Sequence, residues 1–211
     1  MKNNKLLSHP VALALLLALG AGCSTTQSER SQRAVSDLQQ LHKLLAAGDE
    51  QVSTLNKALT TVAQAQPDAL RPAFATFEKE LQRTQKLAAK VSDQIEDLKD
   101  HAEAYLATWK KQATQLGNAD LKTMSLERQQ LVQQDFGRVM AAVNTMSTAG
   151  KTYGADLKDL RTFLGNDMTR TGSELAKPFL TKVQASSGPF LQSLRAAQVE
   201  VDKLATVLQP K

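Results

Sequence analysis

The chain has 211 residues and a formal charge of +5, from 26 Lys and Arg against 21 Asp and Glu. The basic residues are spread along the chain, whereas nucleic-acid binding would call for a clustered basic stripe, so that class of function is excluded. Aromatic residues make up only 4%, and Leu, Ala, Gln, Thr and Lys are the commonest residues, which favours long helices around one core over several domains.

A targeting segment is predicted at residues 1–22. Lys2 and Lys5 make a positive start, and Pro10–Leu19 is an apolar run too short to span a bilayer. The sequence LGAGC, which ends at Cys23, resembles the lipobox of bacterial lipoproteins, although Leu19 stands one position further from the cysteine than is usual. We therefore expect Cys23 to carry acyl chains such as palmitate, which gives the only cysteine of the chain a role. The alternative is an ordinary signal peptide followed by an unrelated cysteine.

The residue after the cysteine is Ser24 and not Asp. By the sorting habit of Gram-negative lipoproteins, this predicts an outer-membrane protein that faces the periplasm. Residues 23–30 are predicted to be the acylated cysteine and a polar tether, and residues 31–209 a single helical coiled-coil bundle domain.

Four helices are predicted, over about Ser31–Gln66, Ala69–Leu116, Leu121–Gly165 and Ser173–Gln209. In each of them apolar residues recur at steps that alternate between four and three, which is the heptad seam of coiled-coil packing. Short connections between four such helices predict an all-α, elongated, antiparallel up-and-down bundle, with parts of the second and third helices projecting as a two-stranded coil.

Helix ends and breaks follow from a few residues. Asp68 and Asp120 are expected to cap the second and third helices. Gly48 and Pro189 lie on or beside seams that keep their phase, so each is either a bend or a true break.

The stretch between Val91 and Leu131 resembles a bacterial family catalogued as domain of unknown function 2959. The segments that carry the resemblance are VSDQI at Val91–Ile95, Ala102–Trp109, the Gly117–Asn118 turn, Leu121, and Ser125–Leu131. Further on, Phe163 and Leu164 match the family pattern, while Gly165–Asn166 replaces its Lys-His pair. The resemblance implies a helical lipoprotein or exported protein and implies no activity.

No pattern in the sequence predicts catalysis, a metal or a cofactor. There is no His-Glu-x-x-His, no cysteine pair and no Gly-x-Ser-x-Gly. Asp97 and His101 have a spacing that suits a shared metal but lack a third ligand, so a solvated charged face is the favoured interpretation. Ala149–Thr152 looks like the end of a phosphate-binding loop, but it lies inside a predicted helix, where backbone N–H groups cannot point at phosphates.

Two groups of residues remain as candidates for a site. Tyr105, Trp109, Lys110 and Lys111 form either a core plug near a turn or an exposed aromatic–basic tip that touches a membrane or a partner. The small residues on the seams either let helices approach closely or line a groove. They are Gly48, Ala88, Ala102 and Gly150.

These features predict a lipid-anchored envelope protein with a structural or protein-interaction role, not an enzyme. Its expected partners are the membrane, through the anchor, and a protein or a second copy. The alternative is a carrier or sensor that binds an apolar ligand such as lipid in a groove of the bundle.

Overall fold

The computed structural model describes residues 22–209, with side chains from residue 29 onward. It contains four helices, α1 Gly22–Gln64, α2 Leu70–Thr114, α3 Ala119–Asn166 and α4 Arg170–Leu208, and no strand within that range. The prediction of an all-α bundle is confirmed. Residues 1–21 of the predicted signal peptide lie outside the described residues, as does the side chain of Cys23.

The helices form an antiparallel ring. Each helix packs along the next one in the chain, and α4 closes the ring against α1, while the backbones of the diagonal pairs stay apart. At 1.5 Å per residue the bundle is roughly 65 Å long. None of the helices described between residues 22 and 209 combines the length and apolarity that crossing a membrane requires.

The core consists of the predicted seams. In α1, Leu38, Leu41 and Leu45 are almost fully buried, and the same holds for Val132 and Val139 of α3. Buried side chains divide into two clusters, one at the end of the bundle where α1 begins and one at the opposite end. The heptad steps thus identified the inward face of each helix correctly over most of its length.

Helix α1 begins at Gly22, so the segment predicted as a polar tether is helical in the structure. The segment STTQSER contains neither Pro nor Gly, and polar residues of this kind continue a helix at a small cost in propensity. The longer α1 accompanies the end of α2, so α2 and α3 do not project by themselves as a two-stranded coil.

Neither Gly48 nor Pro189 is a turn. Helix α1 runs through Gly48, and α4 runs through both Pro178 and Pro189. A helix-interior proline costs about 3 kcal/mol. Burial on both sides of Pro189, at Val183 and Leu194, offsets that cost and keeps the helix in one piece.

The helix caps differ from the prediction. At the start of α3 the cap is Asn118, whose side-chain Oδ1 accepts from the Leu121 N–H at 2.9 Å, while Asp120 lies inside the first turn. At the start of α2 the cap position is Ala69, which makes no side-chain hydrogen bond, so Asp68 is not the cap. In both cases the chain enters the helix one or two residues away from the carboxylate, because the turn geometry decides which side chain can reach a free N–H.

Candidate functional site

A groove opens in the middle of the bundle between α2 and α3. These two helices contact each other less than any other neighbouring pair. They meet near both ends, where Trp109 Nε1 donates to Ser125 Oγ at 3.0 Å and Arg161 Nε donates to Glu78 Oε1 at 2.8 Å. Between these contacts they diverge and leave a cavity of about 330 Å³.

The mouth of the groove is formed by residues that are exposed on both helices. From α2 these are Gln85, Ala88 and Ser92, and from α3 Ser147, Lys151 and Gly154. Ala88 was predicted to lie on a buried seam, and with it Val91 and Ile95, which are only half-buried. Val91 and Ile95 still pack against the core, as the seam predicts, but Ala88 does not, because α3 does not cover this part of α2.

Apolar side chains from all four helices make the floor. Phe190 of α4 stacks on Tyr153 of α3 with ring centroids 5.9 Å apart. Gly150 lies directly against this aromatic pair, since a Cβ at that position would be 3.0 Å from Phe190 Cε2. The lack of a side chain at Gly150 therefore lets the Phe190 ring lie at the base of the groove.

A buried polar network ties three helices together beside the floor. Tyr153 OH donates to Asn56 Oδ1 at 2.9 Å, and Asn56 Nδ2 donates to Ser187 Oγ at 2.8 Å. The Ser187 hydroxyl in turn donates to the Gln184 carbonyl at 2.7 Å. Burial raises the pKa of the Tyr153 phenol far above its ordinary value of about 10, since the phenolate would be poorly solvated there. The phenol therefore stays protonated and acts as a fixed donor.

The predicted small residues fall largely at one level of the bundle. The pairs Asp37–His101 and Gln51–Glu80 set the register of α1 against α2, and that register places Gly48 opposite Ala88. Gly48, Ala88 and Gly150 all line the groove, so the groove interpretation holds for these three. Ala102 is buried in the core instead, where close packing is the correct interpretation.

The aromatic–basic group divides in the structure. Tyr105 is buried, and Trp109 is half-buried against it with ring centroids 5.6 Å apart. Burial raises the pKa of Tyr105, and a hydrogen bond to Ser31 and the charge of Arg128 act against this shift. Lys110 and Lys111 are exposed. The two aromatic residues are thus packed as a core plug, and only the lysines are free to touch another surface.

Apolar side chains are exposed around the turn that follows these lysines. Leu116, Leu121 and Met124 are 41%, 55% and 63% exposed. A depression of about 600 Å³ lies beside Leu116, between residues 31–39 of α1 and residues 105–116 at the end of α2. If the α1–α2 register is continued at 1.5 Å per residue, the backbone of Cys23 comes level with the last turn of α2.

Each of the two histidines in the described part of the chain lies beside a carboxylate. His101 Nδ1 lies 2.6 Å from Asp37 Oδ2 and does not pair with Asp97. His42 Nδ1 lies 2.7 Å from Asp202 Oδ1, at an angle that makes no hydrogen bond. Among the described residues, no group of three or more His, Cys, Asp or Glu is close enough to hold a metal ion.

Sequence reasoning missed Phe190 and Lys151 as groove residues. Phe190 was assigned to a seam, and Lys151 was considered only as part of a rejected phosphate loop. The groove could have been predicted from the register between helices. Aligning α1 and α2 as antiparallel partners brings Gly48 and Ala88 to the same level, and two such small residues leave space in the core there.

Comparison with known proteins identifies a family. A family model described as protein of unknown function (DUF2959) matches residues 25–201, a range that contains the groove and the α2–α3 turn. No curated protein and no solved structure matches the chain.

Proposed function

This chain belongs to the DUF2959 family of proteins of unknown function, and we propose that it is a non-enzymatic interaction protein of the bacterial outer membrane. It is anchored through an acylated Cys23 and extends into the periplasm, where the bundle contacts a protein partner or a second copy of the chain. The lipobox-like LGAGC sequence and Ser24 support the anchor and its destination.

One observation carries this proposal: the anchor residue and an exposed tip share one end of the bundle. The tip is defined here as Lys110, Lys111, Leu116, Leu121 and Met124, all exposed around the α2–α3 turn. Helix α1 starts at the same end, with the acylation residue in its first turn. A membrane-attached bundle would therefore bring the tip to the lipid surface.

The chemistry of the tip suits that contact. Moving exposed apolar side chains from water into the interfacial layer of a bilayer is favourable. Each lysine near an anionic membrane surface adds about 1 kcal/mol to the attraction. The tip also limits the tilt of the bundle, because the anchor and the turn then touch the membrane at two points. In this orientation the opposite end stands roughly 65 Å from the membrane.

The opposite end offers apolar surface for a partner. Phe163, near the end of α3, is 42% exposed, and Leu175, near the start of α4, is 67% exposed. Neither is needed to fill the core, and both are available for contact with a partner at this end.

The anchor is tested by fractionating cells that express the full chain. We expect the wild-type protein in the outer-membrane fraction and a Ser24→Asp variant in the inner-membrane fraction. A Cys23→Ala variant should be absent from the outer-membrane fraction. A Cys23→Ala variant that fractionates like the wild type would contradict the anchor.

The interaction role is tested by placing a photoreactive amino acid at three exposed positions in cells. At Leu175 we expect crosslinks to protein, and at Met124 crosslinks to lipid. Lys90, exposed in the middle of α2, is the matched control and should give background only. Equal yields at all three positions, or turnover of a defined substrate by the purified protein, would refute the proposal.

A further inference from the structure

The groove between α2 and α3 interrupts the apolar seam of the bundle near the middle of its length. Most seam residues of α2 are buried, but at this level Ala88 is exposed and Val91 and Ile95 are half-buried. A long helical bundle normally removes its apolar seam from water, because apolar burial drives its folding. An apolar channel left open at one level is the kind of concave site in which ligands bind.

We propose that this groove binds one long-chain fatty acid, with its acyl chain along the floor and its carboxylate at Lys151. The proposal goes beyond the interaction role and does not depend on the lipid anchor.

The dimensions of the groove suit a single acyl chain. Its wall on α2 extends from Leu81 to Ile95, roughly 20 Å along the helix axis. One acyl chain spans half of a hydrocarbon core, about 15 Å. The volume of about 330 Å³ lies at the lower end of small-molecule sites, too small for a two-chain phospholipid. A partner helix is about 10 Å wide with its side chains and exceeds this space over the same length.

The chemistry of the lining matches an amphiphile with a negative head. The floor is formed by aliphatic and aromatic side chains, including Met146, Phe190 and Leu194, and Lys151 is the only charged residue among those that line the groove. Lys151 lies at the mouth and is exposed, so a carboxylate beside it keeps contact with water while the chain is buried. Two of the polar side chains that line the groove are already engaged, since Gln51 Nε2 donates to Glu80 Oε2 at 3.1 Å and Thr84 Oγ1 donates to the Glu80 carbonyl at 2.8 Å.

The acyl chains of the proposed anchor do not reach this site. Cys23 and Gly48 are separated along α1 by roughly 40 Å. This distance is more than twice the length of an acyl chain, so a ligand in the groove has to come from outside the molecule.

Binding is measured with the mature chain, residues 23–211, carrying Cys23→Ala so that no acyl anchor or detergent is present, and with cis-parinaric acid, a fluorescent 18-carbon fatty acid, as the probe. We expect saturable binding at one site that palmitate displaces. Hexadecanol, which lacks the charge, should displace the probe more weakly, and a lysophospholipid with a bulkier head should compete more weakly still.

Two pairs of variants locate the site. Ala88→Phe fills the groove from an exposed position and should weaken binding about tenfold or more, whereas Ala89→Phe, exposed one residue further along α2 but outside the groove, should bind as the wild type does. Lys151→Gln should weaken fatty-acid binding about two- to fivefold and leave hexadecanol unaffected. Lys158→Gln, an exposed lysine outside the groove, is its control.

Gly154→Phe provides a second block from the α3 side, where an added Cβ would meet no atom within 4 Å, in case Ala88→Phe fails to fold. The absence of saturable probe binding would overturn the proposal, as would equal binding by the wild type and both blocking variants. A dimer in sedimentation that Ala88→Phe dissociates would also overturn it, because a second copy would then cover the groove.

Discussion

Replacing Tyr153 by Phe removes one hydroxyl from the polar network at the centre of the bundle. In the wild type this hydroxyl donates to Asn56 Oδ1 at 2.9 Å, and the Tyr153 side chain is 2% exposed. Without the donor the Asn56 oxygen loses its partner in a largely dry site. Near neutral pH we expect the free energy of unfolding to fall by about 1–2 kcal/mol.

The same substitution should change the response to alkaline pH. Burial raises the pKa of Tyr153 in the folded state, so unfolding releases a proton once the pH exceeds the unfolded value of about 10. The wild type then loses about 1.4 kcal/mol per pH unit through this one group, and Tyr153→Phe does not. The stability contributed by the neutral phenol is therefore present below pH 10 and declines above it.

These two effects have opposite signs, so the stability curves of wild type and Tyr153→Phe should converge and cross about one pH unit above 10. Urea unfolding followed by helical circular dichroism between pH 8 and 11 measures both curves. Ser187→Ala is the matched control, since it breaks the same network at a group that does not titrate, and its loss should not depend on pH. A constant difference between wild type and Tyr153→Phe across this range would refute the reasoning.

Three further predictions concern stability and are measured by thermal or urea unfolding. Gly150→Ala should destabilise the folded protein, because its Cβ would press on the Phe190 ring of α4. Gly154→Ala, whose Cβ meets no atom within 4 Å, should stabilise it by about 0.5–1 kcal/mol. Equal effects of the two substitutions would contradict the role of the close approach between Gly150 and Phe190. Asn118→Ala should lower the free energy of unfolding by about 1 kcal/mol, because α3 loses its cap, and Asp68→Ala should lower it little. A larger loss in Asp68→Ala than in Asn118→Ala would mean that the Asp68 carboxylate caps α2. Leu38→Ala should cost about 2–5 kcal/mol, since the side chain is fully buried, and a loss below 1 kcal/mol would mean that the core relaxes around the cavity.

The proposed interaction role and the proposed ligand site occupy different parts of the molecule. The tip at the α2–α3 turn would meet the membrane, the far end would meet a partner, and the groove lies between them. Because the groove is walled by α2 and α3, a ligand that draws these helices together would also affect the turn that joins them. Crosslinking at Met124 with and without added fatty acid would show whether the two sites communicate.

Much of this fold is encoded locally. Apolar side chains at alternating steps of four and three lie on one face of a helix, whatever that helix packs against. For this reason the inward faces of α1 and α3 were predictable, down to Leu38 and Val139, and so were the helix boundaries to within a few residues. The early start of α1 was not, because polar residues without Pro or Gly are compatible with both a helix and a tether.

Only the tertiary structure decided where the bundle is open. Ala88 and Leu38 occupy equivalent positions on their seams, yet one is exposed and the other buried. A heptad pattern predicts which face of a helix is apolar. It does not predict the distance to the next helix, because that distance depends on contacts between residues far apart in the chain. The Asn56–Tyr153–Ser187 network arises in the same way, from three helices that meet at one level. The helices are therefore a property of the local sequence, and the groove is a property of their packing.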